Sequence, residues 1–247
     1  MFIFTHTNLK PSAVALARKL EELTSRRVLV TTNPNSTLPP PIIRWGTSVA
    51  GSFGHLTKYN PPELISVVAN KYRFSQSMIA TGLPCVEVTK GTPERFPVVI
   101  RKILEGCGGV GIEVCTSLEE FNEKYRQYFW SYWRDLNPEL GVHIFNGRIL
   151  KIFKKVRDES LPPEQFPIRN MTRGWNFSRV KEENFPKLIP GLMSFYEKFP
   201  IAFGRLDIGW DRVDRVYRII EMNSAPGIAQ NPDTTEAYAK SFAEVLK

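Results

Sequence analysis

The spacing of apolar and polar residues over the first 68 positions predicts a small α/β unit. Three short apolar runs, at 2–4, 28–30 and 42–46, are typical of strands. Between the first two runs, apolar residues at helical spacing predict a helix over 13–22, and Ser12 can cap its first turn. The proline-rich stretch 33–41 and the polar, glycine-containing stretch 47–60 favour loops.

The remainder of the chain alternates strand and helix patterns, so we expect an α/β (α+β) fold. Helices are predicted at 61–71, 74–81, 118–129, 188–198 and 235–246, the third with a capping box at Ser117 and Glu120. Strands are predicted at 85–89, 98–104, 112–115, 205–210 and 216–222. The clearest hairpin pattern is Asn146-Gly147 between apolar strands at 142–145 and 148–153. Residues 157–185 are polar and weakly patterned.

Composition narrows the class of protein. A chain of 247 residues with 42% apolar content can bury a core, as one compact domain or two small ones. No apolar run approaches the roughly 18 residues of a membrane span, and the first residues lack the pattern of a signal peptide. Three cysteines without C-x-x-C spacing indicate neither a disulfide framework nor a zinc ribbon. We therefore expect a cytoplasmic protein with no membrane partner.

The net charge of +8 fits a phosphate-containing ligand, and nucleic acid or an acidic surface fits it as well. Two features of the sequence indicate phosphate. A glycine cluster, comprising Gly106, Gly108, Gly109 and Gly111, matches G-x-G-x-x-G but joins two predicted strands. Such a hairpin can cover a triphosphate with its backbone N–H groups, or it can be a plain surface turn. Arg101 and Lys102 lie on the strand before it, and strand alternation sends them to opposite faces.

The most specific pattern is a set of oxygen donors on the last two predicted strands. Glu221 and Asn223 share one face of a strand, and Asp207 lies across from Glu221 if the strands pair as a hairpin. Carboxylate and amide oxygens suit Mg²⁺ rather than zinc. A solvated acidic face is the alternative, and the flanking residues Ile219, Ile220 and Met222 disfavour it.

Together these motifs resemble the ATP-grasp family, in its order, from about residue 70 to 242. The matching segments are Asn70-Lys71 through Gly82-Leu83-Pro84, Pro97–Arg101 with the glycine loop, 139–145, Arg205-Leu206-Asp207 and 221–227. The pattern is closest to ligases of the ribosomal-protein glutamate ligase and D-alanine–D-alanine ligase kind, and closer still to their short phage and bacterial relatives. The resemblance implies three units: an N-terminal domain at 1–68, a central subdomain at 69–132 and a C-terminal subdomain at 133–247.

The resemblance also assigns expected roles to residues. Lys71 with Arg101 or Lys102 would contact ATP phosphates, backbone groups near Tyr132 and Trp133 would hold adenine, and Glu139 would bind ribose. Asp207, Glu221 and Asn223 would bind Mg²⁺, as two ions that Mn²⁺ can replace, and Arg205 would stabilise transition-state charge. Gly141 stands where relatives often have arginine, and Lys154 or Arg169 can take over that contact.

The implied activity is an ATP- and Mg²⁺-dependent carboxylate–amine ligation through an acyl phosphate, on small-molecule or peptide substrates. A kinase-like phosphotransferase is one alternative, although H-R-D-x-x-x-x-N and the P-loop motif are absent. A basic nucleic-acid-binding module with a vestigial ATP site is another, suggested by the aromatic and basic stretch 125–134. An acidic macromolecular substrate and a homodimer stay open. Residues that could receive a substrate carboxylate are Arg157, Arg169, Asn170, Arg173 and Trp175.

Overall fold

Three sheets and six α-helices make up the part of the chain that the computed structural model describes, residues 1–33, 41–49, 57–105, 109–170 and 173–246. Most of the predicted loop at 33–41 and part of the one at 47–60 lie outside the described residues. Within those ranges, none of the helices has both the length and the apolar character that crossing a membrane requires.

The N-terminal unit is a parallel sheet of four strands in the order β2-β1-β3-β4, with one helix on it. Its elements are β1 (Phe2–Thr5), α1 (Lys10–Thr24), β2 (Leu29–Thr31), β3 (Ile42–Trp45) and β4 (Thr57–Tyr59). The three predicted strands are confirmed, and β4 is an addition that its polar sequence did not indicate.

Ser12 does not cap the first helix, so that prediction is wrong. α1 begins at Lys10, three residues earlier than predicted, with Pro11 in its first turn, and Ser12 is buried inside it. Its hydroxyl oxygen accepts a hydrogen bond from the Ile228 N–H at 3.1 Å. A distant part of the chain therefore uses the polar group that local sequence assigned to capping.

The middle of the chain forms an antiparallel sheet in the order β6-β5-β7 beside two helices. Its elements are α2 (Pro62–Ala69), α3 (Lys71–Ala80), β5 (Val98–Arg101), β6 (Ile112–Cys115), α4 (Leu118–Lys124) and β7 (Phe129–Tyr132). Ser117 caps α4 as predicted, by accepting from the Glu120 N–H at 3.2 Å. The helix ends earlier than predicted, because Phe129 already belongs to the strand that pairs with β5.

The predicted strand at 85–89 is not a strand. The segment makes only single bridges, from Cys85 to Ile219 and from Thr89 to Trp130, while Ser75 Oγ accepts from the Val88 N–H at 2.8 Å. Its backbone groups are therefore divided among three partners, and no continuous ladder forms.

The C-terminal half is built on a five-stranded antiparallel sheet in the order β10-β9-β8-β11-β12. Its elements are β8 (Leu136–Phe145), β9 (Arg148–Arg157), β10 (Trp175–Val180), α5 (Leu188–Lys198), β11 (Phe203–Asp211), β12 (Val216–Asn223) and α6 (Pro232–Val245). The Asn146-Gly147 turn joins β8 to β9 with positive φ at both residues, which confirms the predicted hairpin. β10 lies within the stretch that sequence left unpatterned.

The two faces of this sheet have different surroundings. One face carries Leu140, Val142, Leu206 and Met222 into a core shared with α2, α3 and α5. On the other face, His143 and Phe203, the first residue of β11, pack under α6. Tyr238 and Phe242 of α6 belong to a core shared with the N-terminal sheet and α1. The rest of that face is polar and looks towards the β5–β7 sheet. The polar end of the five-stranded sheet is therefore left uncovered by apolar packing, and it faces the three-stranded sheet.

Asp211 fixes the turn between β11 and β12. Its Oδ1 accepts from the backbone N–H groups of Val213 and Asp214, and its Oδ2 accepts from Arg218 Nε at 2.7 Å and Arg134 Nη1 at 2.8 Å. Although burial opposes ionisation, these hydrogen bonds and the two cations lower the pKa of Asp211 to about 2. The turn is therefore tied to the segment that enters β8.

We expect D211N to lower the free energy of unfolding at pH 7 by about 1–2 kcal/mol. Because the pKa lies below its ordinary value of 3.8, the carboxylate contributes stability above that pH and loses it as pH falls towards about 2. Urea titrations at pH 7, 5 and 3 should therefore show a difference that shrinks at the lowest pH. The exposed Asp233 is the control, and D233N should change stability by less than about 0.5 kcal/mol. A D211N effect that is the same at all three pH values would contradict the assignment.

Candidate active site

A cavity of about 270 Å³ lies between the three-stranded sheet and the polar end of the five-stranded sheet. Val99, Arg101 and Tyr132 line it from one sheet, and Glu139, Asp207 and Glu221 line it from the other. Its charged lining residues are six cations and three carboxylates: Lys71, Arg101, Arg134, Lys155, Arg169, Arg205, Glu139, Asp207 and Glu221. Because Arg134 is paired outside the lining with Asp211 and Asp214, and Arg169 with Asp135, the four remaining cations face three carboxylates, and this surplus of one positive charge favours an anionic ligand.

The register of β11 and β12 brings the predicted acidic residues together. Asp207 pairs with Glu221, as the sequence predicted, and a bulge after Asp207 turns both Ile220 and Glu221 towards the cavity. Lys71, at the start of α3, reaches Glu221 from outside the sheet, with its Nζ 3.5 Å from Oε2. Two carboxylates on facing strands therefore share one end of the cavity.

Asp207 is the more buried of the two carboxylates, at 2% exposure. Arg205 holds it with two hydrogen bonds, from Nε to Oδ1 at 2.7 Å and from Nη2 to Oδ2 at 3.0 Å. Burial raises the pKa of Asp207 in spite of this pair. Burial also acts on Glu221, but the nearby cations, Lys71 first, hold the pKa of Glu221 below its ordinary value.

Asn223 lies beside Glu221 but is not among the residues that line the cavity. Its backbone pairs with Arg205, and its Nδ2 is 3.5 Å from Glu221 Oε1. In the described part of the chain no group of three or more His, Cys, Asp or Glu residues is placed to hold a metal. The donors at this end are instead two carboxylates and one amide oxygen, a hard-oxygen set that fits Mg²⁺ completed by phosphate or water oxygens.

Arg101 is the last residue of β5, which ends three residues earlier than predicted, and Lys102 lies just beyond the strand and points elsewhere. Arg101 is 7% exposed and lines the cavity, where its Nη2 donates to Ser131 Oγ at 3.4 Å. Its buried Nε has no acceptor among the described residues, and burial lowers the pKa of this guanidinium. Lys102 points away, pairs with Glu113 and lies 5.4 Å from the Tyr125 ring centroid. Of the two candidates, Arg101 is therefore the one that faces the cavity.

The neighbouring lysines on β9 also point in different directions. The sequence interpretation named Lys154, which does not line the cavity. Lys154 pairs with Leu140, outside the cavity lining, whereas Lys155 lines the cavity and contacts Glu139. Lys155 Nζ also donates to the Arg169 carbonyl oxygen at 3.0 Å. Counting pairs outward from the Asn146-Gly147 turn sets Lys154 opposite Glu139, and the register shift between His143 and Ile144 moves Lys155 onto that face instead.

Glu139 is buried at 7% exposure, and burial raises its pKa in spite of Lys155. Arg169 reaches it at 3.7 Å and also bonds to Asp135 and the Leu136 carbonyl oxygen. These contacts of the Arg169 guanidinium hold the segment around Arg169 against Glu139 and the start of β8. Among the predicted substrate residues, Arg169, Asn170 and Trp175 line the cavity, while Arg157 and Arg173 do not.

The glycine cluster is described only from Gly109 onward, since Gly106 and Gly108 lie outside the described residues. The loop joins β5 to β6, two strands, as predicted. Gly109 lines the cavity with φ 76°, and a Cβ there would overlap the Asn170 side chain. Gly111 also has positive φ, at 73°, but packs against Ile103 outside the lining. Tyr132 and Trp133 line the opposite end.

Gly141, where relatives of the resembled family often have arginine, has no free space above it. A Cβ would lie 3.1 Å from Arg205 Cδ and 3.2 Å from Phe177 Cε1. The position is therefore filled by the side chains of Arg205 from β11 and Phe177 from β10 rather than by Lys154 or Arg169.

Comparison with known proteins identifies the fold. No protein-family model matches the sequence, and no curated protein sequence is similar to it. Among solved structures, D-cycloserine synthetase DcsG is similar with a TM-score of 0.65 at 13% identity, over 100% of this chain and 99% of that chain. D-alanine–D-alanine ligase from Bacillus anthracis complexed with ATP has a TM-score of 0.69 at 12% identity, over 100% and 94%.

A third structure, the ATP-grasp ligase PsnB complexed with a minimal precursor, has a TM-score of 0.69 at 8% identity, over 100% of this chain and 99% of that chain. The α/β architecture is thus the ATP-grasp fold, which confirms the fold expected from the motifs. At these identities the similarity concerns the fold, and the chemistry must be argued from the cavity.

Two pairs of neighbouring residues test which face binds the anion. We expect R101M and K155M each to weaken binding of a non-hydrolysable ATP analogue by about 10-fold or more, because each removes a charged donor from the cavity. K102M and K154M are the matched controls, and each should change the dissociation constant by less than about 3-fold. Isothermal titration calorimetry measures all four. Equal losses within either pair would show that side-chain direction does not decide the site.

Proposed function

We propose that the protein is an ATP- and Mg²⁺-dependent carboxylate–amine ligase that acts through an acyl phosphate. The observation that carries this proposal is the convergence of Asp207, Glu221 and Arg205 with the cations of the glycine-loop side in one cavity of positive surplus charge. Oxygen donors for a hard cation lie next to donors for phosphate, which is the arrangement that phosphoryl transfer needs.

The nucleotide would lie along the cavity from Trp133 to Glu221. Backbone groups near Tyr132 and Trp133 would hold adenine, and Glu139 would accept hydrogen bonds from the ribose hydroxyls. Lys71, Arg101 and Lys155 would contact the phosphates under the loop at Gly109. Arg101 supports this placement most directly, because its buried Nε has no acceptor among the described residues.

Asp207, Glu221 and Asn223 would hold Mg²⁺, as two ions that Mn²⁺ can replace. The ions would neutralise charge on the transferring phosphoryl group. The fit rests on donor chemistry: two acids on paired strands repel each other, and a hard cation between them relieves that repulsion. Lys71 would then exchange Glu221 for a phosphate oxygen without leaving the cavity.

In the proposed reaction a substrate carboxylate oxygen attacks the γ-phosphorus of ATP, and ADP leaves with its bridging oxygen. An amine then attacks the acyl carbon, loses a proton, and phosphate departs. Arg205 would stabilise the oxyanion at that carbon, since only its Nε and Nη2 are engaged by Asp207. His143 is not suited to act as a base, because burial lowers its pKa to about 3 and its Nδ1 lies 3.1 Å from the Tyr238 hydroxyl.

The substrates would be an amino acid or short peptide and an amine. Structurally similar proteins include a D-alanine–D-alanine ligase and an L-amino acid ligase from Bacillus licheniformis, the second with a TM-score of 0.62 at 13% identity, over 92% of this chain and 67% of that chain. A cytoplasmic location and a homodimer stay predictions.

Neither alternative activity has comparable support. Asp207-Ile208-Gly209 lies inside β11 rather than at the start of a loop, so its likeness to the D-F-G motif of kinases has no matching context. In the aromatic stretch 125–134, Tyr125 and Trp130 are buried in the core of the three-stranded sheet. Their rings are therefore engaged in packing and are not a base-stacking surface.

ADP release tests the proposal. With Mg²⁺, ATP and mixtures of amino acids or peptides, the wild type should release ADP and phosphate and form a product whose mass is the sum of the substrates minus water. We expect D207A, and E221A combined with N223A, to reduce ADP release by about 100-fold or more. D158N is a surface control that should keep full activity. Unchanged ADP release in the two cavity variants would contradict the proposal, and phosphate retained on the product would favour a kinase.

A further inference from the structure

Phe177, on edge strand β10, lies close to two cations of the cavity. The Arg205 Cζ is 4.8 Å from the centroid of its ring, and Lys155 Nζ is 5.7 Å from the same centroid. Both distances are within the range of cation–π attraction. Phe177 itself lines the cavity and is half-buried.

Gly141 makes room for this arrangement. A Cβ at position 141 would come within 3.2 Å of Phe177 Cε1 and 3.1 Å of Arg205 Cδ, so a larger residue would displace the ring or the guanidinium. Phe177 is held from the other side by its backbone pairing with Lys155 and by an edge contact with Phe153 at 6.5 Å. The ring is therefore supported by the sheet and faces Arg205.

The two contacts of Arg205 restrict different motions. Asp207 binds Nε and Nη2 in the plane of the guanidinium, which sets its direction within that plane. The Phe177 ring lies against the group and restrains its tilt out of the plane. With both contacts present, Nη1 is the guanidinium nitrogen that donates to no acceptor among the described residues.

We propose that Phe177 is a positioning residue for Arg205: its ring fixes the direction in which Nη1 faces the reacting oxygen of the substrate. The inference rests on the proposed ligase function for its kinetic consequence, but the restraint on Arg205 stands independently of that function. If Asp207 were its only contact, the Arg205 guanidinium could still rotate about the axis of the ion pair. An error of about 1 Å in the position of a catalytic group can cost on the order of 100-fold in rate.

Three substitutions separate positioning from packing. F177L keeps apolar volume and loses the ring, F177Y keeps the ring, and F185L removes a ring just beyond β10 that packs on the opposite core. We expect F177L to lower kcat by about 10- to 100-fold with the KM for ATP within about 2-fold. F177Y should retain kcat within about 3-fold, and F185L should behave like the wild type in both constants.

NMR of the arginine side chains tests the restraint without any turnover. The Nε–H resonance of Arg205, assigned by its loss in R205K, should be displaced in the wild type by the ring current of Phe177. In F177L it should move towards the ordinary arginine position and exchange faster with solvent, and in F177Y and F185L it should stay in place.

The two measurements also separate this inference from the proposed function. If no substrate mixture supports ADP release in the wild type, the ligase proposal fails, and the NMR spectra still decide whether Phe177 restrains Arg205. An Arg205 resonance unchanged in F177L overturns the inference whatever the activity. So does an F177L loss that appears equally in F177Y, or one expressed in KM alone.

Discussion

The polar end of the larger sheet depends on keeping one buried carboxylate in contact with one partly buried cation. Asp207 is almost inaccessible, and burial by itself favours its neutral form. Arg205 offsets that cost through two hydrogen bonds from its guanidinium. The same principle repeats along the cavity, where Lys71 faces Glu221 and Lys155 faces Glu139. Arg205 lies on the same strand as Asp207, but the cations that face Glu221 and Glu139 come from α3 and β9, so this part of the site exists only while those elements stay packed.

Side-chain direction then decides which cations belong to the site. Two basic pairs, at 101–102 and 154–155, each send one member into the cavity and the other towards a different environment. The inward members, Arg101 and Lys155, are nearly buried and line the cavity, whereas Lys102 pairs with Glu113. The net charge of +8 is therefore concentrated in part where a polyphosphate would lie.

Absent side chains shape the cavity as much as charged ones do. Asn170 occupies the space that a side chain at Gly109 would take, so the segment that carries Arg169 and Asn170 packs directly against Gly109. Phe177 and Arg205 occupy the space above Gly141. The cavity wall therefore comes partly from β10 and the segment before it. In β10, Trp175 and Phe177 alternate with the polar residues Asn176 and Ser178, but this pattern is too short to stand out within a long polar stretch.

The sequence by itself determined the order of most elements and the identity of the acidic cluster. The sequence placed Asp207 opposite Glu221 by pairing the two strands as a hairpin, and the bulge after Asp207 supplies the one-residue shift that completes this pairing. Only the tertiary structure decided three other points. The Ser12 hydroxyl accepts a hydrogen bond from Ile228, the segment at 85–89 forms no strand ladder, and Lys155 rather than Lys154 faces Glu139. These choices depend on which face of a strand or helix meets a distant partner, and one residue of register, which local spacing does not encode, reverses the answer.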